Sequence, residues 1–361
     1  MLSLILIVLL CGALIVPLVA CNKECDEHVD DDGNAVCDEC GENMEITPPI
    51  VDDDASGDDG EDAEEDEEEP SIVVPKAEYE REVIDGVTYI YYGTLPQTAV
   101  NSDLTNVLSN LVKSGNLTAN ENGTYSYAGV EYACLYGTEK TVGRLLSNGL
   151  TIQKDEPYFF NIEKLKWRLL EEKDGRGLLL AENILGEYYF NPQGSYSNSL
   201  GTLLGTPNNA NDYSVSALRK YLNETLYPSL FSLREKQSIY DTTVLLRPGE
   251  SAFVITQGMY NSAIDKMFVP SYWEINEKYN LRVDEEQVMA VEVKDYQVAS
   301  GFVVNAIGER YYSSWWLRTS GKHVNQGNIV NYNGVIGTAT ECSINLCDVA
   351  GIRPCITIRT A

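Results

Sequence analysis

Residues 313–319 read Ser-Ser-Trp-Trp-Leu-Arg-Thr, and residues 351–356 read Gly-Ile-Arg-Pro-Cys-Ile. In an extended chain, side chains alternate between faces, so Trp315 and Leu317 point one way and Trp316 and Arg318 the other. Each face then carries an indole, and Trp rings contribute large buried area. Arg318 and Arg353 sit inside apolar runs, where a guanidinium must find carbonyl or carboxylate partners. We read Trp167, Trp315, Arg318 and Arg353 as core architecture in preference to a ligand pocket.

The flanking sequence fits a sheet-built domain. Val87–Gly93 is rich in β-branched and aromatic residues and predicts a strand. Asp103 is placed to cap a short helix through Leu111, with Leu104, Val107, Leu108 and Leu111 on one stripe. Asn122-Gly123 predicts a hairpin turn, with Tyr125–Leu135 as its second strand. Phe159–Leu170 and Leu178–Ala181 predict two strands around the turn Lys173-Asp174-Gly175. Ser214 is expected to open a helix whose Val215, Leu218, Tyr221 and Leu222 face inward. Ser232-x-x-Glu235 and Ser271-x-x-Glu274 are capping boxes. Beyond about residue 287 the chain reads as short strands at 290–293, 301–306, 313–318, 328–332 and 351–359. The fold class is therefore α+β: irregular antiparallel sheets with a few short helices, without βαβ repeats. Segment 191–212 is too long for a plain connection and reads as a surface loop that can carry function.

Several segments together resemble a bacterial family of exported domains of unknown function (domain of unknown function 6273). Its W-W-L-R-[ST] and G-[VI]-R-P motifs match Trp315–Thr319 and Gly351–Pro354, with Gly334-Val-Ile-Gly337 between them. Tyr92–Gln97 resembles the family's opening F/Y-G-x-x-P-Q, Trp167–Leu170 its W-R-V-L, and Leu218–Asn223, with Arg219, its L-R-x-W-L-N. Cys355 stands where the family usually has Ala, and Tyr221 where it usually has Trp. The resemblance covers about residues 85–361. It implies a C-type-lectin-like fold related to the formylglycine-generating, sulfatase-modifying group, and no known activity. In such a fold the first and last strands lie side by side. Pairing of 88–95 with 351–359 is thus expected to put both ends at one pole and the irregular loops at the other.

Residues 2–20 are apolar apart from Ser3 and end in Leu18-Val19-Ala20-Cys21, which resembles a bacterial lipobox. By that resemblance 1–20 is a lipoprotein signal peptide and Cys21 is lipidated. Two acyl chains anchor stably where one is marginal. The alternative is an uncleaved N-terminal helix anchor. Either places the rest of the chain on the extracellular face of the cytoplasmic membrane. A small module follows within 21–41, with Cys25, His28, Cys37 and Cys40 at a spacing that suits tetrahedral zinc. The oxygens of Asp30, Asp32 and Glu39 offer a calcium loop instead, and a disulfide without metal is the plain alternative.

Residues 22–75 hold 23 acidic side chains and one basic one, a net of −22 out of −29 for the chain. The remainder carries 32 acidic and 25 basic residues. Segment 42–75 reads as a disordered, self-repelling linker before a single domain at 76–361. That domain has no excess of basic charge to neutralise phosphates, which argues against nucleic acid as a partner. Nothing in the sequence sets an oligomeric state.

With only His28 and His323, multi-histidine metal chemistry has no donors in the main domain. The leading functional reading is a binding module on a membrane stalk, with a surface glycan or protein as its partner. Its contact residues would be Tyr196 and Asn208–Asn211 in one loop, and His323, Asn325 and Asn331 in loop 320–334, adaptable paratope-like types. Asn191-Pro192-Gln193 is a poor match to a lectin's calcium tripeptide. The alternatives are a structural envelope protein and a thiol/copper oxidase built on Cys342 and Cys347. A disulfide among Cys134, Cys342, Cys347 and Cys355 is the more ordinary expectation for those thiols, and His323 as a general base lacks a neighbouring nucleophile motif.

Overall fold

The computed structural model describes residues 74–197, 202–206, 208–245, 262–281, 289–321, 323–336 and 343–361. Cys21, the Cys25, His28, Cys37 and Cys40 module, the acidic linker and Cys342 lie outside the described residues. Strands β1 (Glu80–Ile84), β2 (Val87–Ala99), β3 (Tyr125–Tyr127), β4 (Val130–Tyr136), β5 (Pro157–Lys173), β6 (Arg176–Ala181) and β7 (Gly186–Tyr189) build the first half. The second half adds β8 (Thr242–Val244), β9 (Ala263–Asp265), β10 (Met267–Phe268), β11 (Val291–Glu292), β12 (Asn305–Ile307), β13 (Arg310–Ser313), β14 (Trp315–Ser320), β15 (Gln326–Val330), β16 (Ser343–Asn345), β17 (Val349–Ile352) and β18 (Cys355–Arg359). Helices are short: α1 (Ser102–Lys113), α2 (Ala217–Tyr221), α3 (Tyr227–Leu230), α4 (Leu233–Gln237) and α5 (Asp295–Ala299).

The architecture is α+β, with mostly antiparallel sheets. The largest sheet runs β1-β2-β5-β6-β18-β10. Its long strand β5 pairs with β4 at its start and β6 at its end, along one edge, and with β2 along the other. A second sheet runs β16-β15-β14-β17-β7, in which only β14 and β17 are parallel. β11-β13-β12 and the β8–β9 hairpin are smaller sheets. The Lys173–Gly175 turn forms as expected. Asp174 and Gly175 take φ of 50° and 72°, the two positive values that a two-residue hairpin turn needs. Asn122-Gly123 does not make the hairpin. Ala128 and Gly129, at φ 52° and 80°, turn β3 into β4, while the Asn122 side chain accepts from the Thr124 amide in a local turn.

Helix caps also move by one or two residues. Asn101, rather than Asp103, accepts from the Leu104 amide and opens α1, leaving Asp103 in the first turn where its charge suits the helix dipole. Leu108 is buried against Val100, Tyr132 and Phe159, but Val107 is exposed. Ser216, rather than Ser214, caps α2 through the Arg219 amide. Both capping boxes form: Ser232 and Glu235 open α4, and Ser271 and Glu274 exchange the same pair of bonds before a π-helical turn at Glu274–Lys278.

The expected pairing of 88–95 with 351–359 does not occur. β2 lies between β1 and β5, and β18 between β6 and β10. The expected strand 351–359 is in fact two. Arg353-Pro354 interrupts it, because Pro354 has no N–H to continue a ladder. β17 therefore belongs to the second sheet and β18 to the first. The domain's ends still meet: the Ala77 amide donates to the Arg359 carbonyl at 3.0 Å, and the Thr360 amide to Gly175 at 2.8 Å.

From that pole one continuous antiparallel path crosses both sheets. Arg359 faces Arg176, Cys355 faces Leu180, Ile352 faces Gly186 and Val349 faces Tyr189. The path ends where the Asn191 amide donates to Leu346 at 2.9 Å. The described parts of 190–212 and 320–326 gather there, remote from the pole where the chain enters.

One apolar core joins the two large sheets. Trp167, Trp315 and Trp316 are fully buried, and their indole N–H groups donate to the carbonyls of Tyr92, Met289 and Tyr188. Arg318 forms a two-pronged pair with Glu274, at 2.5 and 2.6 Å. Arg353, 1 % exposed, donates to the Ala181 carbonyl at 2.7 Å and reaches Glu182, which also holds Arg168. Gly93 adopts φ +73°, and a Cβ there would stand 2.6 Å from the Phe231 ring. No helix among the described residues is long and apolar enough to cross a membrane.

Candidate functional site

The structure brings the two predicted loops together, but not as two exposed contact surfaces. The Asn211 amide group donates to the His323 carbonyl at 3.3 Å, and the Ser320 hydroxyl to the Asn211 carbonyl at 3.2 Å. The Leu346 amide donates to the Asn325 carbonyl at 3.1 Å. Within 191–212 the bridges Tyr196–Leu203 and Thr202–Asn209 join the described residues to one another. Tyr196 is therefore buried, and so are Asn211 and Asp212. Burial and a contact with Cys347 push the Tyr196 hydroxyl up to about 12. Tyr196 is corrected from a surface contact residue to a packing residue, because its ring seats the loop on the core.

Asn208, Asn325 and Asn331 are half-buried and His323 is exposed. The Asn331 side-chain oxygen is occupied by the Ser314 hydroxyl and the Tyr332 amide. Asn191 is spent similarly: its side chain donates to the Ala210 carbonyl at 2.5 Å and accepts from Ala217 at 2.9 Å, closing the loop. It has no carboxamide left for a cation. Among the described residues no three His, Cys, Asp or Glu side chains cluster as a metal site.

Cys134, Cys347 and Cys355 are free thiols, so no disulfide joins any two of them. Cys355 is fully buried in β18 and Cys134 half-buried in β4. Burial pushes the Cys134 thiol up to about 12 and raises that of Cys355 as well, which disfavours the reactive thiolate at both.

Beside the loop cluster opens a groove of about 650 Å³, lined by Asn191, Pro192 and Ser195, the start of α2, and Ile264–Lys266. Arg219 forms its wall. Its Nε donates to Asp265 Oδ1 at 2.7 Å, and its other nitrogens to the Ser214 and Ile264 carbonyls. Burial raises the Asp265 carboxyl, and Arg219 opposes that rise without cancelling it. Asn223 clamps the same strand, accepting from the Lys266 and Met267 amides and donating to the Met267 carbonyl. The Leu218–Asn223 segment thus pins the β9–β10 chain to α2 with a guanidinium and a carboxamide. The partners Asp265 and Glu274 were missed in the sequence, because a partner's position in the chain gives no local signal. The groove was missed because separate segments line it.

No curated protein and no solved structure matches the chain. The family model of a domain of unknown function, DUF6273, matches residues 174–360, from the β5–β6 turn to the end of β18 and including Arg219, Trp315, Arg318 and Arg353. The Tyr92–Gln97 and Trp167–Leu170 segments lie upstream of that match. Since it spans more than half of the 361 residues, the chain belongs to the DUF6273 family of domains of unknown function.

Proposed function

We propose that this chain is an exported lipoprotein that presents a C-type-lectin-like binding domain outward from the bacterial cytoplasmic membrane. The supporting observation is the polarity of the domain. Ala77, where the linker enters, is bonded to Arg359, while the gathered loops begin at the other end of the ladder, at Asn191 and Leu346, and the 650 Å³ groove runs from Asn191 back to Asp241 and Lys266. A tether at one pole leaves the opposite pole free to meet a wall glycan or surface protein. Cys21 is the lipid-bearing residue in this account. The 42–75 linker, strongly acidic, extends by self-repulsion and is repelled by anionic headgroups. The Cys25, His28, Cys37 and Cys40 module is a zinc knot between anchor and linker, with calcium as the competing occupant.

The test is co-sedimentation of the full lipidated chain, carried on vesicles, with isolated cell wall. Retention of the native chain, lost when Asn208, His323 and Asn325 are together replaced by Ala, supports the proposal. Failure of the wall to retain the anchored native chain overturns it. Cys21→Ala is expected to leave the chain unlipidated and in the soluble fraction.

A further inference from the structure

We infer that a second site, an aromatic cleft on the flank of the large sheet, binds a neutral oligosaccharide; this deepens the binding-domain reading above and rests on it. The cleft is formed by two adjoining cavities. One, of about 220 Å³, is lined by Phe268, Trp273, Tyr279 and the Arg318–Glu274 pair. The other, of about 450 Å³, lies by the β5–β6 turn. Leu178 and Thr357 line both, so the two run into one elongated trough in the size range of small-molecule sites.

The wall that carries the aromatic side chains is conformationally unusual. Trp273 and Tyr279 flank the π-helical turn Glu274–Lys278, a rare geometry that recurs at functional sites. The Ser271–Glu274 capping box and the Arg318 pair fix that turn from below. Tyr279 is held by its hydroxyl, which donates to Glu171 at 3.0 Å. Trp273 is half-buried, whereas Trp167, Trp315 and Trp316 are fully buried. Large flat rings held at the mouth of a cleft suit the apolar face of a sugar ring.

The charges give the cleft no strong sign. Arg318 is neutralised by Glu274, and Lys278 by Glu171 at 2.7 Å. The lower cavity carries two cations, Lys173 and Arg176, against two carboxylates, Glu171 and Asp174. Glu171 serves both Lys278 and the lower cavity, so the joined cleft carries four cations against three carboxylates, and a surplus of one positive charge is too small to select a polyanion. Threonine hydroxyls complete the lining: Thr242 donates to Thr357 at 2.9 Å across the cleft wall, and Thr243 is exposed beside them. Hydroxyls that both donate and accept suit a polyhydroxylated chain. An elongated trough favours several sugar units over one.

The experiment is acrylamide quenching of intrinsic fluorescence in the full chain. Trp273 is the one tryptophan of four with exposed surface, so the quenchable fraction reports on the cleft. The probes are the tetrasaccharides of β-1,4-glucose, α-1,4-glucose and β-1,4-N-acetylglucosamine, with tetra-alanine as the peptide control. At least one tetrasaccharide is expected to shield Trp273 saturably, tetra-alanine is not, and Trp273→Phe is expected to bind about tenfold more weakly by calorimetry. Shielding needs no variant, so a Trp273→Phe chain that misfolds leaves the first readout intact. Quenching unchanged by all three sugars, or shielding by tetra-alanine instead, overturns the inference. If the anchored chain still binds cell wall in that event, the distal loops bind alone and only this site is wrong. If wall binding also fails, the binding-domain reading fails with it.

Discussion

Replacing Glu182 by Gln changes one buried charge and almost no volume. The carboxylate holds Arg168 at 3.1 Å and Arg353 at 3.4 Å, and Arg353 lies 5.3 Å from the Trp315 ring at the junction of the two large sheets. In the Gln variant two guanidinium groups, 10 % and 1 % exposed, lose the carboxylate that they share. Breaking a buried ion pair from one side costs about 3–5 kcal/mol. Glu182 is 24 % exposed, so water reaches the site and the lower end, about 3 kcal/mol, applies. That corresponds to a fall in Tm of about 6–10 °C for a domain of this class. Burial alone would raise the Glu182 carboxyl, but Arg353 and Arg168 outweigh burial and hold it below the usual range. A carboxyl depressed in the folded state stabilises above its unfolded value, about 4.3, and loses that contribution as pH falls through the folded value. Urea unfolding followed by tryptophan fluorescence should therefore show a wide gap between native chain and variant at pH 7 that narrows toward pH 3. A gap below about 1 kcal/mol at pH 7, or one equal at both pH values, would refute a Glu182-neutralised junction.

Gly93→Ala should cost about 2–4 kcal/mol in thermal or urea unfolding, since a Cβ would meet the Phe231 ring at 2.6 Å and the Leu230 carbonyl at 2.9 Å. Arg219→Met should cost about 2–4 kcal/mol at pH 7, because it strands the buried Asp265 charge. Asp265 is already raised in the folded state, so its ionisation erodes stability as pH rises; the Arg219→Met penalty should shrink on acidification, and a pH-independent penalty would contradict the pairing. Alkylation mapped by mass spectrometry should modify Cys355 only after unfolding and the half-buried Cys134 more slowly than a free thiol, and modification of Cys355 in the native chain would contradict its burial. Asn101→Ala should lower stability by about 1 kcal/mol, the usual worth of a helix cap.

Local chemistry made much of the fold legible. Asp174-Gly175 marks its hairpin because few residues accept two positive φ values, and Ser232-x-x-Glu235 marks its helix because both partners of the cap are in the motif. Asn122-Gly123 offered the stronger local signal, yet the chain turns at Ala128-Gly129, where Tyr127 pairs with Val130. The break at Arg353-Pro354 was written in the proline, but an apolar run on both sides hid it. Loop 191–212 read as solvent-facing by its Ser, Gly and Asn content. Its Tyr196 and Ala210, with Tyr213 just beyond it, are the core-facing signal, and they gain meaning only once the loop is bonded to Leu346 through Asn191. The flank cleft had no local signature, since residues 178, 242–245, 268–279, 318 and 357 meet there only through the sheet order.

The account's central claim is orientation: tether at the Ala77–Arg359 pole, loops outward. It is tested by energy transfer from a clickable fluorophore to an acceptor lipid in vesicles that carry the lipidated full chain. With the donor at Asp174, beside the entry pole, transfer should be stronger than with the donor at Asn208. Equal transfer from the two positions, or stronger transfer from Asn208, would contradict outward presentation of the loops.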